Sequence, residues 1–217
     1  MKIIIYGAGQ MASVVSEILK ESGHEIVGFV DDNKTLYSKK INQINVFSRK
    51  DLLKKKNYEK VCLGVGTIKA RKKIFDWLIS KKIPLISAIH PSVIISSNAS
   101  IGKGVTILPN SLVYGNTKIG SGSFLGPSVT VSHDTNVGKF CLISVGSIIG
   151  ARVVLKDEVF IGSGSTLTPK RLNMDSKLIV QKRAFIGAGS LVINNVKNKD
   201  KVVGVPAKSL NFKNERK

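Results

Sequence analysis

The chain has 217 residues, of which 42% are hydrophobic, so it is long enough to bury one large core or two small ones. Its two cysteines are too few for a disulfide framework, and no segment approaches the length of a membrane span, so we expect a cytoplasmic protein without a membrane span. The formal net charge is +20, but the lysines are spread over both halves without a nucleic-acid-binding motif, which disfavours a nucleic acid as partner.

The N-terminal residues predict a βαβ unit. An apolar run at residues 2–6, an amphipathic pattern at 10–22 and a second apolar run at 26–30 indicate a strand, a helix and a strand. Between the first strand and the helix, Gly7 and Gly9 begin a GxGxx(G/A) pattern that Ala12 completes. Such a turn lets a ligand approach the backbone and the free N–H groups of the helix start, although small residues also serve tight strand-to-helix packing.

Further α/β elements follow up to residue 86. We predict a short helix near 49–56, a strand at 60–65, a helix at 68–81 and a strand at 83–86. The resulting Rossmann-like unit is too short for a complete dinucleotide domain with a nicotinamide subsite. A mononucleotide, such as the nucleotide part of an activated sugar, fits it better than NAD, which disfavours a nicotinamide oxidoreductase.

A six-residue repeat dominates the rest of the chain. The position two before each repeated aliphatic residue is mostly small or β-branched, so two inward residues recur in each hexapeptide. This pattern predicts a parallel β-helix with three short strands per coil. The repeated aliphatic residues are Ile95, Ile101, Ile107, Val113, Ile119, Leu125, Val131, Val137, Ile143, Ile149, Leu155, Ile161 and Leu167.

The repeat also indicates where the domains divide. Residues 88–91 form the joint, so we expect an α/β domain at 1–88 and a β-helix domain at 89–217. The register fails at residues 168–175, which we interpret as a loop pushed out of a coil. Ile179 recovers the register, and after one extra residue Ile186 and Val192 continue it.

His133 is the only histidine of the repeat region. It lies two residues after the inward Val131, at a predicted corner, and Asp134 follows it. A histidine beside a carboxylate can act as a general base, but the spacing fits a solvated turn residue equally well. A zinc site of the carbonic anhydrase sort needs three histidines, so we expect no metal.

The chain as a whole resembles the family of the sialic acid O-acetyltransferase NeuD and the UDP-4-amino-sugar N-acetyltransferase PglD. The resemblance is carried by the GAG turn, the motif "FVDDN", the joint "HPS", the repeats with "HD" and the terminal "GVPAK". It implies a nucleotide-sugar-binding N-terminal domain, a left-handed parallel β-helix, a homotrimer, and acetyl-CoA as co-substrate between neighbouring β-helices.

The resemblance also implies roles for individual residues. His133 would be the general base, and Asp134 would orient it and support its positive charge. The implied nucleotide-sugar-binding residues are Gly9, Gln10, Met11, Asp31, Asp32 and Gly66, with Asp31 near the ribose. The implied acetyl-CoA-binding residues are Leu142, Ala151, Ser163 and Ala188.

Two positions depart from the family pattern, because Met11 and Leu142 stand where family members commonly carry histidines. The resemblance implies an acetyl-CoA-dependent acetyltransferase that acts on the amino group of a nucleotide-activated amino sugar of the UDP-4-amino-sugar type, in bacterial glycan biosynthesis. O-acetylation of sialic acid or a related sugar is the alternative reaction. A non-catalytic trimeric binding protein is the alternative of another class.

Overall fold

The computed structural model describes residues 1–37, 39–169 and 177–210. An N-terminal α/β unit is followed by a left-handed parallel β-helix, as expected. Of the loop predicted at 168–175, all but the first two residues lie outside the described ranges. No helix in the described ranges is both long and apolar enough to cross a membrane.

The α/β unit contains a five-stranded sheet of order β3-β4-β2-β1-β5, in which β4, β2, β1 and β5 are parallel. The predicted strands and helices at residues 2–30, 49–56, 60–65 and 68–81 are confirmed within a few residues. The strands are β1 Lys2–Tyr6, β2 Glu25–Val30, β3 Lys40–Ile41, β4 Ile44–Phe47 and β5 Lys60–Leu63, and the helices are α1 Gln10–Glu21, α2 Arg49–Lys54 and α3 Ile68–Ser80, with a 3-10 turn at Lys34–Leu36.

Two details differ from the prediction. The hairpin of β3 and β4 was not expected, because its turn residues Asn42 and Gln43 adopt positive φ (49° and 65°) without a glycine to signal it. The strand predicted at 83–86 is wrong: Leu85 makes only an isolated bridge to Val61. Pro84 has no N–H to extend this pairing, and the chain continues at once into the β-helix.

The β-helix has three faces of stacked parallel strands. Face one comprises Ile94–Ile95, Leu112–Val113, Thr130–Val131, Ile148–Ile149, Thr166–Leu167 and Leu191–Val192. Face two comprises Ser100–Ile101, Lys118–Ile119, Asn136–Val137, Val153–Leu155 and Leu178–Val180. Face three comprises Ala88–Ile89, Thr106–Ile107, Phe124–Leu125, Leu142–Ile143, Phe160–Ile161, Phe185–Ile186 and Lys201–Val203, with the antiparallel Lys208–Ser209 at its end.

The predicted inward register is confirmed from residue 95 to 167, because the repeated aliphatic residues form one core cluster or pack against it. It is wrong at Ile179, because that strand pairs Val180 with the inward Leu155 and buries Leu178 and Val180 instead.

Polar residues at the second inward position are satisfied by the next coil. For example, the Ser111 hydroxyl donates to the Gly126 carbonyl at 2.9 Å, and that of Ser147 donates to the Gly162 carbonyl at 3.0 Å. Burial of these paired hydroxyls therefore costs little, whereas the Ser190 hydroxyl, two residues before Val192, is buried without a partner among the described residues.

Three rows of corners join the faces. Corner one, between faces one and two, contains residues 97–98, 115–116, 133–134 and 151–152. Corner two, between faces two and three, contains 103–104, 121–122, 139–140, 157–158 and 182–183, and corner three, between faces three and one, contains 109–110, 127–128, 145–146, 163–164 and 188–189.

The α/β unit packs against face three and corner two. Phe124 of face three lies in the same buried cluster as β1 and α1, and Phe75 of α3 meets Phe140 of corner two edge-on at 5.2 Å between ring centroids. The predicted domain boundary between residues 88 and 89 falls inside the first β-helix strand, Ala88–Ile89.

Candidate active site

His133 lies in corner one beside Asp134. Nδ1 of His133 is 2.8 Å from Oδ2 of Asp134, and the Asp134 N–H donates to the Gly115 carbonyl at 3.1 Å. Asp134 has a φ of 56°, a left-handed conformation that aspartate tolerates well. The hydrogen bond to His133 is the main reason why the pKa of Asp134 lies below its usual range.

The partner of Nδ1 determines which nitrogen of His133 is free. An ionised carboxylate only accepts hydrogen bonds, so Nδ1 carries the hydrogen in neutral His133 and Nε2 keeps its lone pair. The His133 side chain is 56% exposed, so Nε2 is accessible to a ligand. The pair therefore has the arrangement of a general base with its orienting carboxylate.

Strand register places further residues around this pair. Ala151 occupies the same corner position as His133 in the next coil, and Gly115 occupies it in the previous coil. Arg152 occupies the corner position of Asp134 in the next coil, and its charge contributes to the lowered pKa of Asp134.

The turn between β1 and α1 is built on close backbone contact. Gly7 has a φ of 124°, and a Cβ there would lie 2.4 Å from the Gly64 carbonyl oxygen. Gly9 precedes the first residue of α1. Oδ2 of Asp31 accepts the Ala8 N–H at 2.9 Å, and Oδ1 accepts the Asn33 N–H at 2.8 Å. The carboxylate thus holds the turn in place from the end of β2.

A cavity of about 350 Å³ opens at this turn. Five of the six residues expected to bind the nucleotide sugar lie on it. The sixth, Asp32, lies in an adjoining cavity of about 210 Å³. The larger cavity is lined by Ala8, Gly9, Gln10, Met11, Asp31, Gly64, Val65, Gly66, Thr67 and Ala70.

Asp32 has partners within the chain. It accepts a hydrogen bond from the Tyr6 hydroxyl at 2.8 Å and lies 2.6 Å from Nη2 of Arg49. Burial is the largest reason why the pKa of Tyr6 is raised. Arg49 also stacks on Trp77, with 4.5 Å from Cζ to the ring centroid. Arg49 was not among the expected site residues, since nothing in its local pattern signals contact with Asp32, 17 residues earlier in the chain.

The four residues expected to contact acetyl-CoA do not lie together on the surface of one β-helix. Ser163 and Ala188 stack in corner three, whereas Ala151 lies in corner one. Leu142 lies on face three and packs against the same buried cluster as Met11. Met11 and Leu142, the two positions expected to depart from the family pattern, therefore adjoin one apolar cluster.

Neither cysteine is placed for chemistry. Both are buried, and burial raises the pKa of each thiol to about 12. Cys141 also donates to the Lys156 carbonyl at 3.2 Å. Among the described residues there is no cluster of three or more His, Cys, Asp or Glu side chains that could hold a metal ion.

Known proteins resemble both parts of the chain. Residues 2–78 match the PglD N-terminal domain family, and residues 79–179 match the GMPPB C-terminal domain family. The GDP-perosamine N-acetyltransferase of Escherichia coli O157:H7 is 28% identical over 170 residues, which cover 75% of this chain and 76% of that protein.

Solved structures share the fold along almost the whole chain. PerB from Caulobacter crescentus, in complex with CoA and GDP-perosamine, superposes with a TM-score of 0.86 at 23% identity and covers 96% of this chain and 97% of its own. The acetyltransferase domain of PglB from Neisseria gonorrhoeae FA1090, in complex with acetyl coenzyme A, gives 0.85 at 25% identity, with 96% and 98% covered. In its N-terminal sequence and in its fold, the chain is therefore similar to the PglD-like hexapeptide-repeat sugar acetyltransferases.

Proposed function

We propose that this protein transfers the acetyl group of acetyl-CoA to the amino group of a nucleotide-activated amino sugar in bacterial glycan biosynthesis. The observation that carries the proposal is the 2.8 Å contact between His133 Nδ1 and Asp134, which leaves Nε2 free as a base. The relatives support the substrate classes, because one is a GDP-perosamine N-acetyltransferase and another was solved with acetyl coenzyme A.

In the proposed reaction the sugar amine attacks the thioester carbonyl carbon while Nε2 of His133 accepts the proton from the nitrogen. Asp134 supports the positive charge that forms on the imidazole, since it already accepts the hydrogen bond from Nδ1. When the carbon–sulfur bond breaks, His133 returns the proton to the CoA sulfur. No acyl-enzyme is required, in keeping with two buried thiols of raised pKa.

The nucleotide would occupy the cavity at the β1–α1 turn. Backbone N–H groups at the start of α1 suit polar or anionic atoms, and the small Gly9 leaves the cavity open. Asp31 and Gly66 line the same cavity as Gln10 and Met11. Asp32 contributes from the adjoining cavity, where Arg49 balances its charge.

Acetyl-CoA would lie between two copies of the chain in a homotrimer. The proposed contacts at Ala151 and at Ser163 lie in different corners of one β-helix, so a second copy is the simpler way to bring them to one ligand. Face one offers apolar outward residues for this assembly, with Ile94 66% and Ile148 46% exposed.

We also propose a domain division near residue 88 and a cytoplasmic location. The first β-helix pairing, between Ala88 and Thr106, supports the division. Two free cysteines fit the reducing cytoplasm.

The test is acetyl transfer by the purified full chain. GDP-, UDP- and dTDP-linked 4-amino sugars are offered with acetyl-CoA, and product mass and CoA release are followed. We expect one nucleotide sugar to gain a single amide-linked acetyl group. His133→Ala should lower kcat by roughly 10²–10⁴-fold.

His90→Ala is the matched control. His90 is also a histidine paired with a carboxylate, 2.8 Å from Glu21, but it lies at the joint between the domains. This variant should keep the wild-type rate. No transfer to any offered sugar, together with no binding of acetyl-CoA, would favour the trimeric binding protein, and an acetyl ester in the product would favour O-acetylation.

A further inference from the structure

A column of polar residues runs through corner one. Asn98, Asn116, Asp134 and Arg152 occupy the same corner position in four successive coils, as the strand register shows. The three later members all have left-handed backbone, with φ of 57°, 56° and 59°. The side chain of His133 meets this column at Asp134, and the His133 carbonyl accepts the Arg152 N–H at 3.2 Å.

The hydrogen bonds of the column run towards the histidine. Nδ2 of Asn98 donates to Oδ1 of Asn116 at 3.0 Å. With its oxygen engaged from below, Asn116 has its NH₂ group left to donate towards Asp134, which the strand register places one coil above it. The Asn116 side chain is also a cause, after His133, of the lowered pKa of Asp134. Asp134 in turn accepts the hydrogen of His133 Nδ1 at 2.8 Å. Each amide thus orients the next group along the column.

Gly115 makes room for this arrangement. A Cβ at Gly115 would lie 2.6 Å from Oδ1 and 3.1 Å from Nδ2 of Asn98. The backbone does not demand glycine there, because Gly115 is not among the residues with positive φ. The absent side chain therefore serves the Asn98 amide rather than the turn.

The Asp134 carboxylate faces two positively charged or chargeable groups, His133 and Arg152. Nε of Arg152 is buried without a hydrogen-bond partner, so nothing the structure describes ties that atom down. A carboxylate held only by His133 could rotate towards the guanidinium. The amide donor of Asn116 lies on the opposite side of Asp134 from Arg152 in the column, so it opposes that rotation.

We propose that Asn116, itself held by Asn98, is a positioning residue for the general base. It fixes the Asp134 carboxylate, and Asp134 then fixes the tautomer and ring orientation of His133. This inference rests on the proposed function, in which His133 is the base. Loss of the Asn116 donor should therefore lower kcat and leave both KM values unchanged.

The sharpest variant is Asn116→Asp. It keeps the size, the tolerance for left-handed backbone and the acceptor for Asn98, but it replaces the donor to Asp134 by a second carboxylate. We expect kcat to fall by about two- to tenfold, which is the change in rate that the free energy of one ordinary hydrogen bond produces. The Tm should not change. Asn116→Ala should also lower kcat, and Asn98→Ala should do so to a smaller extent.

Asn110→Asp is the matched control. Asn110 lies in the same coil with the same left-handed backbone, φ 59°, but in corner three. It should retain wild-type kcat. A double-mutant cycle separates positioning from general structure, because Asn116→Ala should cause no further loss of rate in an Asp134→Ala background.

A second readout does not depend on turnover. The chain has 3 histidines, so ¹⁵N NMR can resolve the ring nitrogens of His133. We expect the Nδ1–H tautomer in the wild type and a tautomer mixture in Asn116→Asp. Wild-type kcat in that variant, an equal loss in the Asp134→Ala background, or an unchanged tautomer would overturn the positioning role. An inactive wild type with the expected tautomer shift would count against the acetyltransferase alone.

Discussion

Nε of Arg71 donates a hydrogen bond to the Gly122 carbonyl oxygen at 2.8 Å, which joins helix α3 to corner two of the β-helix. The same guanidinium donates to the Val65 carbonyl at 2.9 Å, in the segment that lines the nucleotide cavity. Gly104, Thr106 and Ser123 supply further acceptors. Arg71 is 1% exposed and all these acceptors are neutral, so this one side chain ties the cavity to the β-helix.

Replacing Arg71 should destabilise the whole protein. Arg71→Met leaves several buried carbonyl groups without a donor, so we expect the free energy of unfolding to fall by about 3–5 kcal/mol. Chemical denaturation measures this loss. Lys72→Met is the control, because Lys72 makes an exposed pair with Asp76 and its removal should change stability by less than about 0.5 kcal/mol. Equal stability of the two variants would contradict the role of Arg71.

Gly9→Ala should separate binding from folding. Nothing lies within 4 Å of a Cβ at Gly9, and its φ of −96° suits alanine, so Tm should not change. The added methyl group would occupy the proposed nucleotide site, so we expect KM for the nucleotide sugar to rise. Gly7→Ala is the contrast, since its Cβ would strike the Gly64 carbonyl at 2.4 Å and should lower Tm.

Asp31→Ala should loosen the same turn from the other side. It removes the acceptors of the Ala8 and Asn33 N–H groups, so the nucleotide-binding backbone loses its support. We expect KM for the nucleotide sugar to rise by about two- to tenfold, with kcat for bound substrate unchanged. Steady-state kinetics with acetyl-CoA at saturation give both values. A fall of kcat at constant KM would place Asp31 in the chemical step instead.

The cysteines should not react in the folded protein. Cys62 and Cys141 are buried and their pKa values are raised to about 12, so a thiol reagent should modify neither until the chain is unfolded. Counting modified thiols with and without denaturant tests this. Reaction of one thiol in the native state would show that the α/β sheet around Cys62 or the coil around Cys141 opens.

The same raised pKa values predict a dependence of stability on pH. Between about pH 9 and pH 12 the unfolded thiols ionise while the folded ones stay protonated, so the free energy of unfolding should fall as the pH rises through this range. The slope should reach about 1.4 kcal/mol per pH unit for each thiol. Tyr6 and Tyr58 have raised pKa values as well, so the thiol contribution is the difference from a Cys62→Ala, Cys141→Ala variant.

Periodicity explains which features could be predicted. The aliphatic register from residue 95 to 167 determined the β-helix, because each inward residue is buried by stacking on its own equivalent in the next coil. The GAG turn and the first two strands could also be predicted, since a βαβ unit is specified by residues close together in the sequence. His133 and Asp134 were visible as neighbours, and the 2.8 Å contact between their side chains confirms that they meet.

Contacts between distant residues explain the remainder. The pattern around Arg71 is rich in lysine and resembles a solvated helix face, yet Arg71 is buried because corner two supplies its acceptors. Asn98 and Asn116 look like ordinary turn residues until the coils stack and join their amides at 3.0 Å. The sequence by itself thus determined the repeat, the α/β unit and the histidine corner. Only the tertiary structure decided which polar groups satisfy one another. The physical reason is that a hydrogen bond needs its donor and acceptor atoms about 3 Å apart, and the packing of coils and helices sets those distances.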